Sequence, residues 1–186
     1  MNEKDYEEQL AKAGEFHGHI CGGIAIGTKL AMYGLELLGM ELNKRHKNLI
    51  VFLEIDRCMS DAVQSVTGCS MGKRTLKQMY YGKFAATFYN TDTGEALRIT
   101  DADANKKFKD EETKEEMIER FKTTSPEILF KVDKVKIELS RGDMRVNHIL
   151  QYFAVNVVKK YLMGVIYYVV ADLFASPVQR DLIMKL

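Results

Sequence analysis

Two histidines and a cysteine stand at alternate positions in Phe16-His17-Gly18-His19-Ile20-Cys21-Gly22-Gly23. On a helix, residues two apart diverge by roughly 200°, whereas on an extended backbone they point to one side. If His17, His19 and Cys21 act together, residues 17–21 cannot be helical, and Gly18, Gly22 and Gly23 permit the break. Imidazole and thiolate are ligands that suit zinc, nickel, iron or copper. Half of the chain's four histidines and one of its three cysteines are spent on these five positions. This is the first candidate site.

Helical patterns are expected on both sides of the break. Residues 4–14 read as a short charged helix. Gly23–Leu38 is helical in pattern, with Ile26, Leu30, Leu37 and Leu38 as apolar positions. Gly23, Gly27 and Ala31 lie four apart and form a small-residue groove, suited either to internal packing or to a dimer contact. The run Leu49-Ile50-Val51-Phe52-Leu53-Glu54-Ile55 predicts a central strand buried on both faces. Asp61–Val66 predicts a short helix capped by Ser60 or Asp61. Phe84–Tyr89 and Glu95–Thr100 flank Asn90-Thr91-Asp92-Thr93-Gly94, a hairpin signal.

Residues 101–122 mix charges of both signs with a thin apolar stripe of Phe108, Met117, Ile118 and Phe121, which predicts a solvated helix. After Ser125-Pro126, Val132, Val135 and Ile137 mark another strand. The order of elements indicates an α+β fold, with a mixed or antiparallel sheet and flanking helices. The core is expected over residues 1–142. Residues 143–186 are expected to form a helical C-terminal extension that is not a separate domain.

Composition narrows the function classes. A formal net charge of +1 on 186 residues gives no broad electrostatic case for nucleic acid or an anionic membrane. The opening Met1–Glu8 is polar and acidic, which does not suit a secretory signal. Three cysteines, an odd number, suit a reducing cytosol better than a disulfide scaffold, so a cytoplasmic protein is expected. Tyr161–Val170 is apolar, but with Asp172 beyond it the stretch is under the ~18 uncharged residues of a membrane span. It reads as a core or interface helix.

A second polar cluster follows the buried strand: Glu54-Ile55-Asp56-Arg57-Cys58-Met59-Ser60-Asp61-Ala62-Val63-Gln64, continuing to Cys69 and Lys73. A strand leading through a loop into a helix is a common place for functional groups. Placed at a helix N-terminus, Cys58 is expected to have a lowered thiol pKa. Asp61 can equally cap the helix, and Gln64 can face solvent. Cys69, between two glycine-bearing turns, fits packing as well as ligation. His46 and His148 are isolated and read as surface or capping residues.

Three separate stretches, FHGHICGG, EIDRCMSDAVQSVTGCSMGK and YYGKFAATFYNTDTGEALRI, together resemble the FmdE family, named for an accessory component of tungsten or molybdenum formylmethanofuran dehydrogenase. The resemblance covers roughly residues 10–140, in order and in spacing. It implies an α+β core forming an intertwined homodimer, followed in some members by a cysteine-rich zinc finger. Carried over by position, the family's polar site corresponds to His17, His19, Cys21, Cys58, Asp61, Gln64 and Cys69. Two features depart from the pattern. Gly22 stands where the family usually has proline, and no cysteine follows Asp143, so a zinc finger is not expected there.

Three functions are then in play. The leading one is a homodimeric metal-binding protein, in which His17, His19, Cys21 and Cys58, with Cys69 as a further candidate, hold a divalent ion. Zinc is the first choice, with nickel or iron as alternatives, and Gln64 helps to bind the cofactor. The second is a thiol enzyme with Cys58 or Cys21 as nucleophile, a histidine as base and Asp61 as orienting acid. The third is an accessory role beside a molybdenum or tungsten enzyme. The iron–sulfur cysteine runs of a redox component are absent.

Overall fold

The break demanded by the alternating ligands separates two long helices. In the computed structural model, which describes residues 2–102 and 113–139, α1 (Glu3–His17) ends on the first histidine and α2 (Gly22–Leu37) begins one residue after the cysteine. Helix α1 thus runs a turn further than its charge pattern suggests. Asn2 caps it by accepting the Asp5 N–H at 2.7 Å. Helix α2 is buried continuously from Ile24 to Leu35, so it is the central helix of the core and not an amphipathic surface element.

The remaining described elements are β1 (Leu49–Leu53), α3 (Met59–Thr67), β2 (Leu76–Gln78), β3 (Ala85–Asn90), β4 (Ala96–Asp101), α4 (Lys114–Thr123), α5 (Pro126–Leu129) and β5 (Phe130–Lys134). The strands form one sheet in the order β2-β1-β3-β4-β5. β1 pairs with β2 in parallel, Val51 opposite Leu76, and the other neighbours are antiparallel. The fold is α+β with a mixed sheet. β1 lies inside that sheet as expected, and β3–β4 is the predicted hairpin. β2, only three residues long, carries no recognisable strand pattern.

Alternation decides which strand residues meet the helices. Leu49, Val51 and Leu53 of β1, Ala86 and Phe88 of β3, and Ile99 of β4 join Ile24, Leu30 and Leu35 of α2 in one buried cluster. Contact is closest at Gly34, where a methyl group would lie 2.6 Å from the Phe88 ring. Helix α3 packs on the other part of α2. A methyl group on Gly27 would come within 3.0 Å of Ala62 Cβ and of Met59 Cα. The groove of Gly23 and Gly27 therefore serves internal packing. Tyr6 of α1, fully buried, donates to the Ala25 carbonyl at 3.1 Å and ties the first helix to the second.

The charged segment gives α4, opened by a capping box between Thr113 and Glu116 and buried only at Met117 and Phe121. The last strand sits two residues earlier than its apolar positions suggest. Pro126 starts the short helix α5, and Phe130, stacked on Tyr33 at 6.2 Å and 3% exposed, anchors the start of β5. The residues described all belong to the compact unit Met1–Asp143. The predicted C-terminal extension, with Tyr161–Phe174, His148 and also Phe108, lies outside the described residues. Among the described residues no helix is long and apolar enough to cross a membrane.

Gly34→Ala tests the helix–sheet contact. The ring of Phe88 must move to admit the methyl group, at a cost of about 1–3 kcal/mol set against about 1 kcal/mol of improved helix propensity. A lower urea midpoint is expected; a higher one would show that the ring yields freely.

Candidate metal centre

His17 is the last residue of α1, and the chain leaves the helix through Gly18 at φ +94°. That left-handed turn suits glycine because it lacks a Cβ. The Gly18 N–H closes the helix on the Gly14 carbonyl at 2.9 Å. Ile20 then folds back over Gly14, where a methyl group would be 2.4 Å from its side chain. Cys21 follows in extended conformation as the N-cap of α2. The non-helical link expected over 17–21 is therefore present from Gly18 to Cys21, with His17 closing the helix before it.

The consequence is a cluster. One ligand atom from each of His17, His19 and Cys21 lies within 4.8 Å of the others. The two imidazole rings are 4.8 Å apart and tilted by 39°. His19 is exposed and His17 and Cys21 are half-buried, so the group opens to solvent on one side. Around an ion bound at the usual Zn–N and Zn–S distances, tetrahedral ligand atoms stand about 3.5 Å apart. The three side chains need to draw together by roughly that difference, about 1 Å, which rotamer adjustment in a glycine-flanked loop supplies. The donor set fits a divalent transition metal.

The second cluster arrives through β1 and α3. Glu54, directly after β1, is 6% exposed and held by Arg98 of β4 through a two-pronged contact, Nε to Oε1 at 2.5 Å and Nη2 to Oε2 at 2.8 Å. Its backbone N–H also donates to the Ala85 carbonyl. These bonds fix the end of β1, so the loop to Cys58 leaves from a rigid point. The sequence offers one signal for this pair: a carboxylate that closes a buried apolar run needs a counter-ion.

Helix α3 starts at Met59 with Cys58 at the N-cap position, and no side chain caps it. Ser60 and Asp61, expected as caps, do other things. The Ser60 hydroxyl donates to the Ile55 carbonyl, and Asp61 Oδ2 meets His17 Nδ1 at 2.7 Å. Gln64, one turn on, donates to Asp61 Oδ1 at 3.4 Å. With Asp61 accepting from Nδ1–H, the Nε2 lone pair of His17 is left for a metal. Carboxylates commonly orient metal-binding imidazoles in this way.

Cys58 reaches the edge of the cluster. A methyl group on Gly23 would sit 3.7 Å from Cys58 Sγ and 3.8 Å from Cys21 Sγ, so both sulfurs face the same small space. The expected lowering of the Cys58 thiol pKa is corrected by the structure. Burial pushes it up first, then the neighbouring Cys21 thiol, with the Asp61 charge adding to the rise, and the helix-end backbone hydrogen bond only partly opposes them.

Cys69 as a ligand is also corrected. It follows the far end of α3, 3% exposed, with Sγ 3.8 Å from the carbonyl of Leu49, the first residue of β1. Cys58 lies on the loop that leaves the other end of that strand, after Leu53, so the strand's length, about 13 Å, lies between their ends of the sheet. His46 is half-buried, its Nε2 2.8 Å from the Glu41 carbonyl, away from the cluster in sequence and in bonding.

Residues 16–138 match the family model described as FmdE, molybdenum formylmethanofuran dehydrogenase operon. The chain belongs to the FmdE family. The fold agrees with the crystal structure of a tungsten formylmethanofuran dehydrogenase FmdE-like protein from Syntrophus aciditrophicus, at a TM-score of 0.54 and 25% identity. That likeness covers 72% of this chain and 73% of the other. A protein of Archaeoglobus fulgidus described as a probable S-adenosyl-L-methionine-binding protein is 32% identical over 93 residues, which are 48% of this chain. The chain spans only 25% of that relative's length.

The raised Cys58 thiol has a consequence in metal-free protein. Its reaction with iodoacetamide, followed by peptide mass spectrometry, should show an apparent midpoint above the ~8.5 of an ordinary thiol. The sign follows from the cause: burial and neighbouring negative charge favour the neutral form, so thiolate appears only as pH rises further. A midpoint below about 8 would restore the helix-end activation.

Proposed function

We propose that this FmdE-family chain binds a divalent transition metal, zinc in the first place, through His17, His19 and Cys21, with Cys58 as the fourth donor. The observation that carries the reading is the convergence of two imidazoles and one sulfur within 4.8 Å, with a carboxylate already seated on the outer nitrogen of His17. Three protein ligands and an open position describe a catalytic or exchangeable site; a fourth ligand, the Cys58 sulfur, describes a closed one. Bound there, the ion supplies a Lewis-acidic centre. Asp61 holds the His17 ring and its tautomer, and Gln64 holds Asp61.

The wider reading is that of a cytoplasmic homodimer that serves beside a molybdenum or tungsten enzyme. Membership of a family described by a formylmethanofuran dehydrogenase operon, and likeness to an FmdE-like structure, support it. A thiolate-containing site is compatible with a reducing compartment.

Elemental analysis of untagged protein tests the metal. About one equivalent of ion per chain is expected, lost in Cys21→Ser and His19→Ala. Asp61→Asn should keep the fold, since the residue is one-third exposed, and weaken affinity by about 10–100-fold in competition with a chromogenic chelator. Less than about a tenth of an equivalent in wild type after zinc addition would overturn the reading; unchanged affinity in Asp61→Asn would remove the role of the carboxylate.

A further inference from the structure

Two helix starts meet at one point of this fold. Cys21 is the N-cap of α2, Cys58 is the N-cap of α3, and the two helices pack against each other through the glycines of α2. Gly23, on the first turn of α2, lies beside both sulfurs. A methyl group there would be 3.0 Å from Cys58 Cβ, 3.7 Å from Cys58 Sγ and 3.8 Å from Cys21 Sγ. Both sulfurs thus lie within 3.8 Å of one point beside the α2 backbone. Both cysteines are half-buried and therefore reachable by a small reagent, while Cys69 is 3% exposed at the opposite end of α3.

We infer that Cys21 and Cys58 form a reversible dithiol–disulfide pair, a redox-modification site whose reagent class is small hydroperoxides. In the first step the thiolate of one cysteine attacks the peroxide. An S–O bond forms, the O–O bond breaks, and the released alkoxide or hydroxide takes a proton to leave as alcohol or water. In the second step the other thiolate attacks the oxidised sulfur, the S–S bond forms, the S–O bond breaks, and hydroxide departs as a second water. Two thiols lose two electrons and the peroxide gains them.

The extended, glycine-flanked backbone of Cys21 is the side that adjusts to bring the sulfurs to about 2 Å bonding distance; Cys58 is fixed between β1 and α3. Oxidation also removes both thiolates from the proposed metal set, leaving two imidazoles. That second consequence rests on the metal reading; the pairing of the sulfurs does not.

The experiment uses the full-length chain, reduced, stripped with chelator and exposed to a few equivalents of hydrogen peroxide. Thiol titration in denaturant should fall from three to one, and thiol reductant should return it to three. In Cys69→Ala, a non-reducing tryptic digest should join the peptide of residues 13–29 to that of 58–73, two hydrogens lighter than the separate pair. Gly23→Ala, whose methyl group at 3.0 Å from Cys58 Cβ obliges Cys58 to shift, should slow the pairing several-fold. Cys21→Ser and Cys58→Ser should yield no internal link.

Three free thiols after peroxide would overturn the proposal. So would sulfinic acid on a single cysteine with no link, or links only between separate chains on a non-reducing gel. A parallel sample loaded with zinc reports the other reading. Pairing in the stripped chain together with failure to take up zinc would overturn metal binding while leaving the dithiol proposal supported.

Discussion

The close packing of α3 on α2 is the contact on which the site depends. Gly23 and Gly27 expose backbone on one side of α2; Cys58 approaches the first, and Met59 and Ala62 of α3 the second, so closely that a methyl group at either would lie 3.0 Å from its neighbour. Close approach of this kind has no slack: interiors pack at the density of organic crystals, and a shift of one methyl group is felt. Because the two helices are locked there, the start of α3 stands beside the start of α2. Cys58 then faces Cys21, and Asp61 faces the end of α1.

Three helix ends and one link contribute the donors. The C-terminal end of α1 presents His17, held by a carboxylate. The link through Gly18 presents His19 in the open. The N-terminal ends of α2 and α3 present the sulfurs. The sheet supplies rigidity from behind, since Glu54, paired with Arg98, fixes the strand end from which the Cys58 loop departs. Sites supported on element ends keep their geometry better than sites carried on free loops. Here the one exposed donor, His19, is also the one between two glycine-bearing turns.

Much of this is legible in the chain itself. Alternation of His17, His19 and Cys21 demands a helical break, and the break is there because Gly18 takes a left-handed turn. The apolar run from Leu49 and the turn residues between Phe84 and Thr100 specify strand and hairpin through local chemistry. Less legible is β2, whose three residues are too few for a period to show. The cap of α3 is hidden because Asp61 has two uses for its oxygens, and the nearer imidazole wins over the helix end. The Cys58 thiol is hidden in the same way: the helix-end field is local and visible in sequence, whereas burial and the Cys21 thiol arrive from elsewhere in the chain.

Residue types and spacing by themselves determined that the chain would make helices and a sheet, that the link from His17 to Cys21 would leave helical geometry, and that imidazole and sulfur would be concentrated there. Those outcomes follow from backbone sterics and periodicity, which act over a few residues. Only the tertiary structure decided that Asp61 turns to His17, that Cys58 joins Cys21, and that Cys69, further along the same motif, is carried to the other end of the sheet. The physical reason is that a nine-residue helix lies between the two cysteines. Its direction is fixed by packing on α2, and sequence proximity says nothing about which end of a rod meets the site.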